Sequence, residues 1–273
     1  MFFFEIMKAI IFGIVEGVTE WLPVSSTGHM LLLDGILRLE VSDSFYRVFE
    51  VVVQLGAVAA VIVKFRDRII PQKGAPHMRP QVCRLWRLIL VGVLPSAVAG
   101  YFFDDLIEKL FYTPTVVAIT LIFYGLAFIA AELFISKRAT TINDIHMMDN
   151  KRAATVGLFQ TLALIPGTSR SGATILGAYL LGASRSVAAE FSFLLAIPTM
   201  LGAGFLRVVK FIIDGNFPSG AELLLLAVGT AVAYAVSRIV VELLVDLVRR
   251  RGFIIFGIYR IILGGVILLL LAE

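Results

Sequence analysis

Leu22-Pro23-Val24-Ser25-Ser26-Thr27-Gly28 breaks an apolar run over residues 5–37, and Ile165-Pro166-Gly167-Thr168-Ser169-Arg170-Ser171-Gly172 breaks a second one over 153–183. Proline removes a backbone donor and disfavours helix just before it, while hydroxyl side chains are natural caps for a helix that restarts. Each arm of the two runs has about 12–18 residues, short of the ~20 that a membrane crossing needs. Both therefore read as re-entrant helical hairpins. Broken backbone at membrane depth is tolerated only against protein or a watery cavity, so both breaks should lie inside the molecule.

The rest of the chain supplies the membrane setting. Its 273 residues are 59% apolar and 16% charged, with a mean hydropathy of +0.94. Soluble domains run near ~45–50% apolar and ~25% charged, so the surplus belongs in lipid. Six further stretches read as spanning helices, near 46–65, 86–103, 115–135, 186–207, 221–241 and 253–271. The predicted fold is an all-α membrane protein in one domain, six transmembrane helices plus two re-entrant hairpins. A single cysteine, Cys83, excludes an internal disulfide framework. The scattered His and Cys residues have no zinc spacing, and no glycine-rich nucleotide loop occurs. Nothing in the sequence calls for a nucleic-acid partner, and it is compatible with a monomer and a homodimer alike.

Charge placement orients the helices. Sixteen Lys and Arg residues fall in 64–87, 136–152, at Arg185 and in 238–251, whereas the opposite loops hold five: Arg38, Arg47, Lys109, Arg207 and Lys210. The basic side is expected in the cytoplasm. Both termini then face outward, the first hairpin enters from outside and the second from inside. Residues of about 1–135 and 150–273 so become inverted repeats, whose broken helices meet near the midplane. Phe49-Glu50-Val51 and Ala189-Glu190-Phe191 extend the echo, and Glu50 and Glu190 read as structural.

The breaks carry the candidate chemistry. Glu16 and Glu20 are one helical turn apart, on one face. Two carboxylates on an apolar helix are costly in lipid unless they meet a cation or a proton, which suits a divalent-metal site or an acid–base pair. Ser25, Ser26 and Thr27 offer three hydroxyls, and His29 a titratable imidazole. Hydroxyls and free N–H groups at a restarting helix form an anion cradle. Arg170, flanked by Ser169, Ser171 and Thr174, repeats that logic with a planar fork fitted to phosphate oxygens; a salt bridge to Glu16, Glu20 or Glu190 is the other reading.

Glu16-Gly17-Val18-Thr19-Glu20-Trp21-Leu22-Pro23-Val24-Ser25-Ser26-Thr27-Gly28-His29 resembles the first signature of the bacterial undecaprenyl-diphosphate phosphatase family, also called the bacitracin-resistance protein family. Pro166-Gly167-Thr168-Ser169-Arg170-Ser171-Gly172-Ala173-Thr174 resembles its second. Trp21 stands where that family usually has phenylalanine. The resemblance covers essentially the whole chain. It implies hydrolysis of undecaprenyl diphosphate to undecaprenyl phosphate and inorganic phosphate, which recycles the carrier lipid for peptidoglycan synthesis. It also implies a divalent cation, Mg or Ca, bacitracin resistance, and a plasma (inner) membrane enzyme open to the periplasmic or outer face.

Joined to the residues, the expected mechanism is phosphoryl transfer to Ser26 followed by hydrolysis. Glu16 and Glu20 hold metal or the serine proton, while Arg170, with Ser169 and Thr174, clamps the diphosphate. His29 competes as nucleophile or general acid–base. The rival class is an inverted-repeat transporter, a lipid-phosphate flippase or anion carrier. The carboxylate pair beside Ser26 favours the enzyme, because without metal it would repel an anion.

Overall fold

The structure is a computed structural model that describes residues 2–71, 78–135 and 140–271, the side chains at 104, 105, 108, 245, 246 and 249–251 excepted. Of the basic residues used for orientation, Lys73, Lys137, Arg138, Arg249, Arg250 and Arg251 lie outside the described side chains.

The described residues are helical almost throughout. In chain order the helices are α1 (Phe2–Thr19), α2 (Ser26–Leu37), α3 (Asp43–Ile69), α4 (Arg79–Phe111), α5 (Pro114–Ile135), α6 (Asn150–Thr161), α7 (Arg170–Leu180), α8 (Arg185–Ile213), α9 (Gly220–Arg251) and α10 (Ile254–Leu270). Five of them, α3, α4, α5, α8 and α9, contain stretches long and apolar enough to cross a membrane, and α10 is a shorter apolar helix of 17 residues. The two apolar runs with internal prolines are broken where the sequence reading breaks them, into α1/α2 and α6/α7.

Several helices start where side chains supply the missing acceptors. Ser42 caps α3 by accepting from Phe45 N at 3.2 Å, and Ser184 caps α8 by accepting from Val187 N at 3.4 Å. Ser219 and Glu222 form a reciprocal capping box on α9. Packing between helices relies on backbone approach. A methyl group on Gly125 would lie 2.7 Å from the Gly257 carbonyl oxygen, and one on Gly257 2.6 Å from that of Gly125, so α5 and α10 touch through both glycines. In lipid, where apolar surface gains little by hiding, such close packing is what holds helices together.

α1 runs against α9 and α6 against α4, while α3 meets α8 and α5 meets α10. The loops fall into two sets. Glu5 accepts from Lys8 and from Glu40 N, joining α1 to the 38–42 turn. Elsewhere Arg68 near the end of α3 pairs with Glu190 of α8, Arg185 of α8 pairs with Glu132 of α5, and Ile142 bridges Ala183, gathering the ends of α3, α5 and α7. The deepest packing surrounds the breaks: Trp21 and Phe193 are fully buried and meet edge to face at 5.3 Å.

Candidate active site

The two breaks have the same local geometry. Among the described residues, Ser25 (φ 74°) and Ser169 (φ 69°) are the non-glycine residues with a left-handed backbone. Each is the N-cap of the restarted helix: Ser25 Oγ accepts from Gly28 N at 3.4 Å, and Ser169 Oγ from Gly172 N at 3.1 Å. A left-handed serine costs about 1–3 kcal/mol and persists only where its surroundings fix it. The shared cap makes Ser26 and Arg170 equivalent, each the first residue of its helix, and so brings a hydroxyl and a guanidinium to matching places.

They meet on Glu20. α1 ends at Thr19, so Glu20 sits just past the helix, although its N–H still donates to the Glu16 carbonyl at 3.0 Å. Ser26 Oγ donates to Glu20 Oε2 at 2.7 Å, and Arg170 Nη2 donates to Glu20 Oε1 at 2.8 Å. Arg170 Nη1 donates to the Ser192 carbonyl at 3.0 Å, its guanidinium lies 5.4 Å from the Trp21 ring centre, and Nε has no partner. Trp21, where the signature usually has phenylalanine, thus forms a wall of the arginine site. Ser171 Oγ donates to the carbonyls of Glu20 (3.1 Å) and Leu22 (3.2 Å), so the second break braces the first.

Other expected residues have quieter places. Ser169 and Ser171 hydroxyls lie 3.1 Å apart. Thr174 bonds the Arg170 carbonyl at 2.9 Å and the Ser192 hydroxyl at 2.6 Å, holding α7 to α8 beneath the arginine. Thr27 stays outside this network among the described residues. Glu190 pairs with Arg68.

Glu16 is almost fully buried, and neither of its carboxylate oxygens has a partner. Glu20, Glu50 and Arg170 are charged neighbours. Among the described residues no three His, Cys, Asp or Glu side chains converge on a metal position. A magnesium-type site, however, typically takes one or two carboxylates and completes its shell with water and substrate phosphate. The orphaned oxygens of Glu16, one turn from Glu20, fit that chemistry.

His29 is held on both sides of its ring. Nδ1 lies 2.7 Å from the Ser25 carbonyl, which can only accept, so Nδ1 carries a proton. Nε2 lies 2.7 Å from the Tyr259 hydroxyl, and the two rings are stacked. These contacts direct the imidazole to the strained Ser25, not to Ser26 or Glu20.

Sequence reading missed Arg260. This α10 side chain is fully buried and donates to the Pro23 carbonyl (3.2 Å) of one break and to the Gly167 (2.8 Å) and Thr168 (2.9 Å) carbonyls of the other. It ties both breaks together and replaces hydrogen bonds that their irregular backbone would otherwise lack. The available signal was a lone arginine inside an apolar segment, which is too costly to be incidental. Glu132 was missed too. It accepts from Arg185 and from Phe253 N (3.1 Å), fixing the start of α10.

The family model of Bacitracin resistance protein BacA matches residues 9–266. An undecaprenyl-diphosphatase of Enterococcus faecalis is 48% identical, over 99% of this chain and 98% of that protein. Undecaprenyl-diphosphatase 1 of Clostridioides difficile (strain 630) is 48% identical, over 97% of this chain and 95% of that protein. An undecaprenyl-diphosphatase of Acetivibrio thermocellus is 47% identical, over 97% of each.

Proposed function

The chain belongs to the bacitracin resistance protein family, and from that premise we propose how its residues do their work. It is a multi-pass membrane hydrolase, an undecaprenyl-diphosphatase. It converts undecaprenyl diphosphate to undecaprenyl phosphate and inorganic phosphate, returning the carrier lipid to cell-wall synthesis and conferring resistance to bacitracin.

Ser26 is the nucleophile. Its Oγ attacks the terminal phosphorus while its proton passes to Glu20 Oε2, and the bond from that phosphorus to the bridging oxygen breaks, releasing undecaprenyl phosphate. Glu20 hands that proton to the departing undecaprenyl phosphate; as a carboxylate again it takes a proton from water, whose oxygen attacks the phosphoserine, and it returns this proton to Ser26 Oγ as inorganic phosphate leaves. Serine is a weak nucleophile until a base activates it. The observation that carries this reading is the 2.7 Å bond from Ser26 Oγ to Glu20 Oε2, with Arg170 on the other oxygen. Arg170 exchanges part of that pairing for phosphate oxygens and balances charge in the transition state, where positioning and electrostatics do most of the work. Ser169 and Ser171 keep the arginine loop in place. His29 holds the Ser25 carbonyl and thereby the direction of Ser26. A divalent cation, Mg or Ca, held by Glu16 and Glu20 would neutralise phosphate charge.

The topology we propose has six spans, α10 included, and two re-entrant hairpins related by an internal inversion. The helix pairing supports it: exchanging α1–α5 with α6–α10 turns the α1–α9 pair into α6–α4 and maps α3–α8 and α5–α10 onto themselves. The site then opens to the outer face of the bacterial plasma membrane. Phosphate release by the purified protein in detergent, followed against added Mg or Ca, tests the reading. Transport cannot occur in micelles, so cation-dependent release supports the hydrolase, and no release in any cation contradicts it.

A further inference from the structure

A cavity of about 500 Å³ lies between α4 and α8, within the ~300–1,000 Å³ usual for ligand sites. One end reaches Arg170, whose Nε has no partner. From there it follows α8 from Pro198 to Lys210, about 18 Å at the helical rise. The middle of this path is small and apolar, lined by Ala97 and Gly100 of α4 and Gly202 and Ala203 of α8, and Arg207 and Lys210 line its far end. The gap has a physical origin. Pro95 and Pro198 sit inside α4 and α8, and an internal proline removes a backbone bond and bends its helix. A methyl group on Gly157 would lie 2.1 Å from the Gly92 carbonyl oxygen, so α4 is pinned to α6 just before Pro95.

The rims are exposed and apolar: Tyr101 and Phe102 on α4, Leu206 on α8. The cavity therefore opens sideways, where lipid would be. Its deep end is polar. Gln160 donates to the Ser96 hydroxyl at 2.6 Å and the Thr199 hydroxyl at 3.2 Å, while those hydroxyls donate to the carbonyls of Val93 and Leu195. The amide orientation is thus fixed, and the buried Oε1 of Gln160 has no partner. An apolar stretch open to lipid, beside a deep polar end at Arg170 and Gln160, matches a molecule with one flexible hydrocarbon tail and a polyanionic head.

We infer that the α4–α8 slot, floored by Gly100 and Gly202, holds the first isoprenoid units of the lipid diphosphate and sets its chain-length preference. This rests on the phosphatase reading above. The remaining tail leaves between the exposed rims into the bilayer. Space at Gly202 is the sensitive point, because a Cβ there meets nothing within 4 Å. A larger side chain there therefore starts without a clash at its Cβ and takes up space in the slot.

The test is a series of prenyl diphosphates of increasing length, assayed for phosphate release by the purified full chain in detergent. Wild type, Gly202→Leu and Gly265→Leu are compared; Gly265 also has open space at its Cβ, outside the slot. In wild type, kcat/KM should climb with the first units. In Gly202→Leu the climb should flatten, with at least a tenfold loss on long lipids relative to the shortest, while Gly265→Leu follows wild type. A series for Gly202→Leu parallel to wild type overturns the slot. A diphosphate with a photoreactive first unit gives a second readout: labelling of α4 and α8 is expected, and labelling confined to other helices overturns it. No phosphate release from any lipid by wild type defeats the phosphatase reading itself, and the slot with it.

Discussion

Ser26 donates its hydroxyl to Glu20 across 2.7 Å, from the first turn of one helix to the turn just past the end of another. The acceptor is doubly used, because Arg170 holds the other carboxylate oxygen. Base, nucleophile and cation thus form one chain of contacts, and substitutions along it should differ in kind.

Glu20→Gln keeps the shape and removes the base. Turnover should fall by about 10²–10⁴-fold, the usual worth of a general base. Phosphate release under saturating lipid checks this. A fall of less than tenfold would move the proton acceptor elsewhere.

Arg170→Ala should cost about 10²–10³-fold or more, the effect of removing one electrostatic donor. It also leaves Glu20 buried without its cation, so Arg170→Lys is the sharper variant. Lysine keeps the charge and loses the fork that spans Glu20, the Ser192 carbonyl and phosphate. It should recover little activity, and near-wild-type turnover would contradict two-point recognition.

Legibility in the sequence followed cost. Proline and serine clusters inside apolar runs, and charges inside lipid, are conspicuous because each needs an explanation. The two breaks, the five long spans and the grouping of Glu20, Ser26 and Arg170 could be read from them. What stayed hidden depends on long-range contact. That Ser25 and Ser169 share one backbone conformation, that Trp21 lies against Arg170, and that His29 reaches back to Ser25 are consequences of packing. Arg260 was visible as an oddity, but its partners are carbonyls far away in sequence, and carbonyls have no signature.

Arg260→Met should destabilise the protein by about 3 kcal/mol or more, since three buried carbonyls lose charged hydrogen bonds worth about 1–3 kcal/mol each. Thermal unfolding in detergent should show the drop, with Arg260→Lys intermediate. An unchanged midpoint would remove its bracing role.

Ser25 separates strain from capping. Ser25→Ala keeps the left-handed backbone cost and loses the cap, about 1 kcal/mol. Ser25→Gly loses the same cap and relieves the strain. Thermal midpoints should therefore rank wild type and glycine together, with alanine lower. Alanine equal to glycine would mean the backbone at Ser25 is not strained.

Phosphorylation of Ser26 is the central step, and trapping it is the direct measurement. Purified protein is mixed with undecaprenyl diphosphate, quenched within the first turnover, and digested for mass spectrometry. Acid and base quenches are run in parallel, because phosphoserine survives acid and phosphohistidine survives base. The serine mechanism predicts an acid-stable phosphate on Ser26, absent from Ser26→Ala, whose turnover falls to near background. A base-stable phosphate on His29, or full turnover by Ser26→Ala, would contradict it.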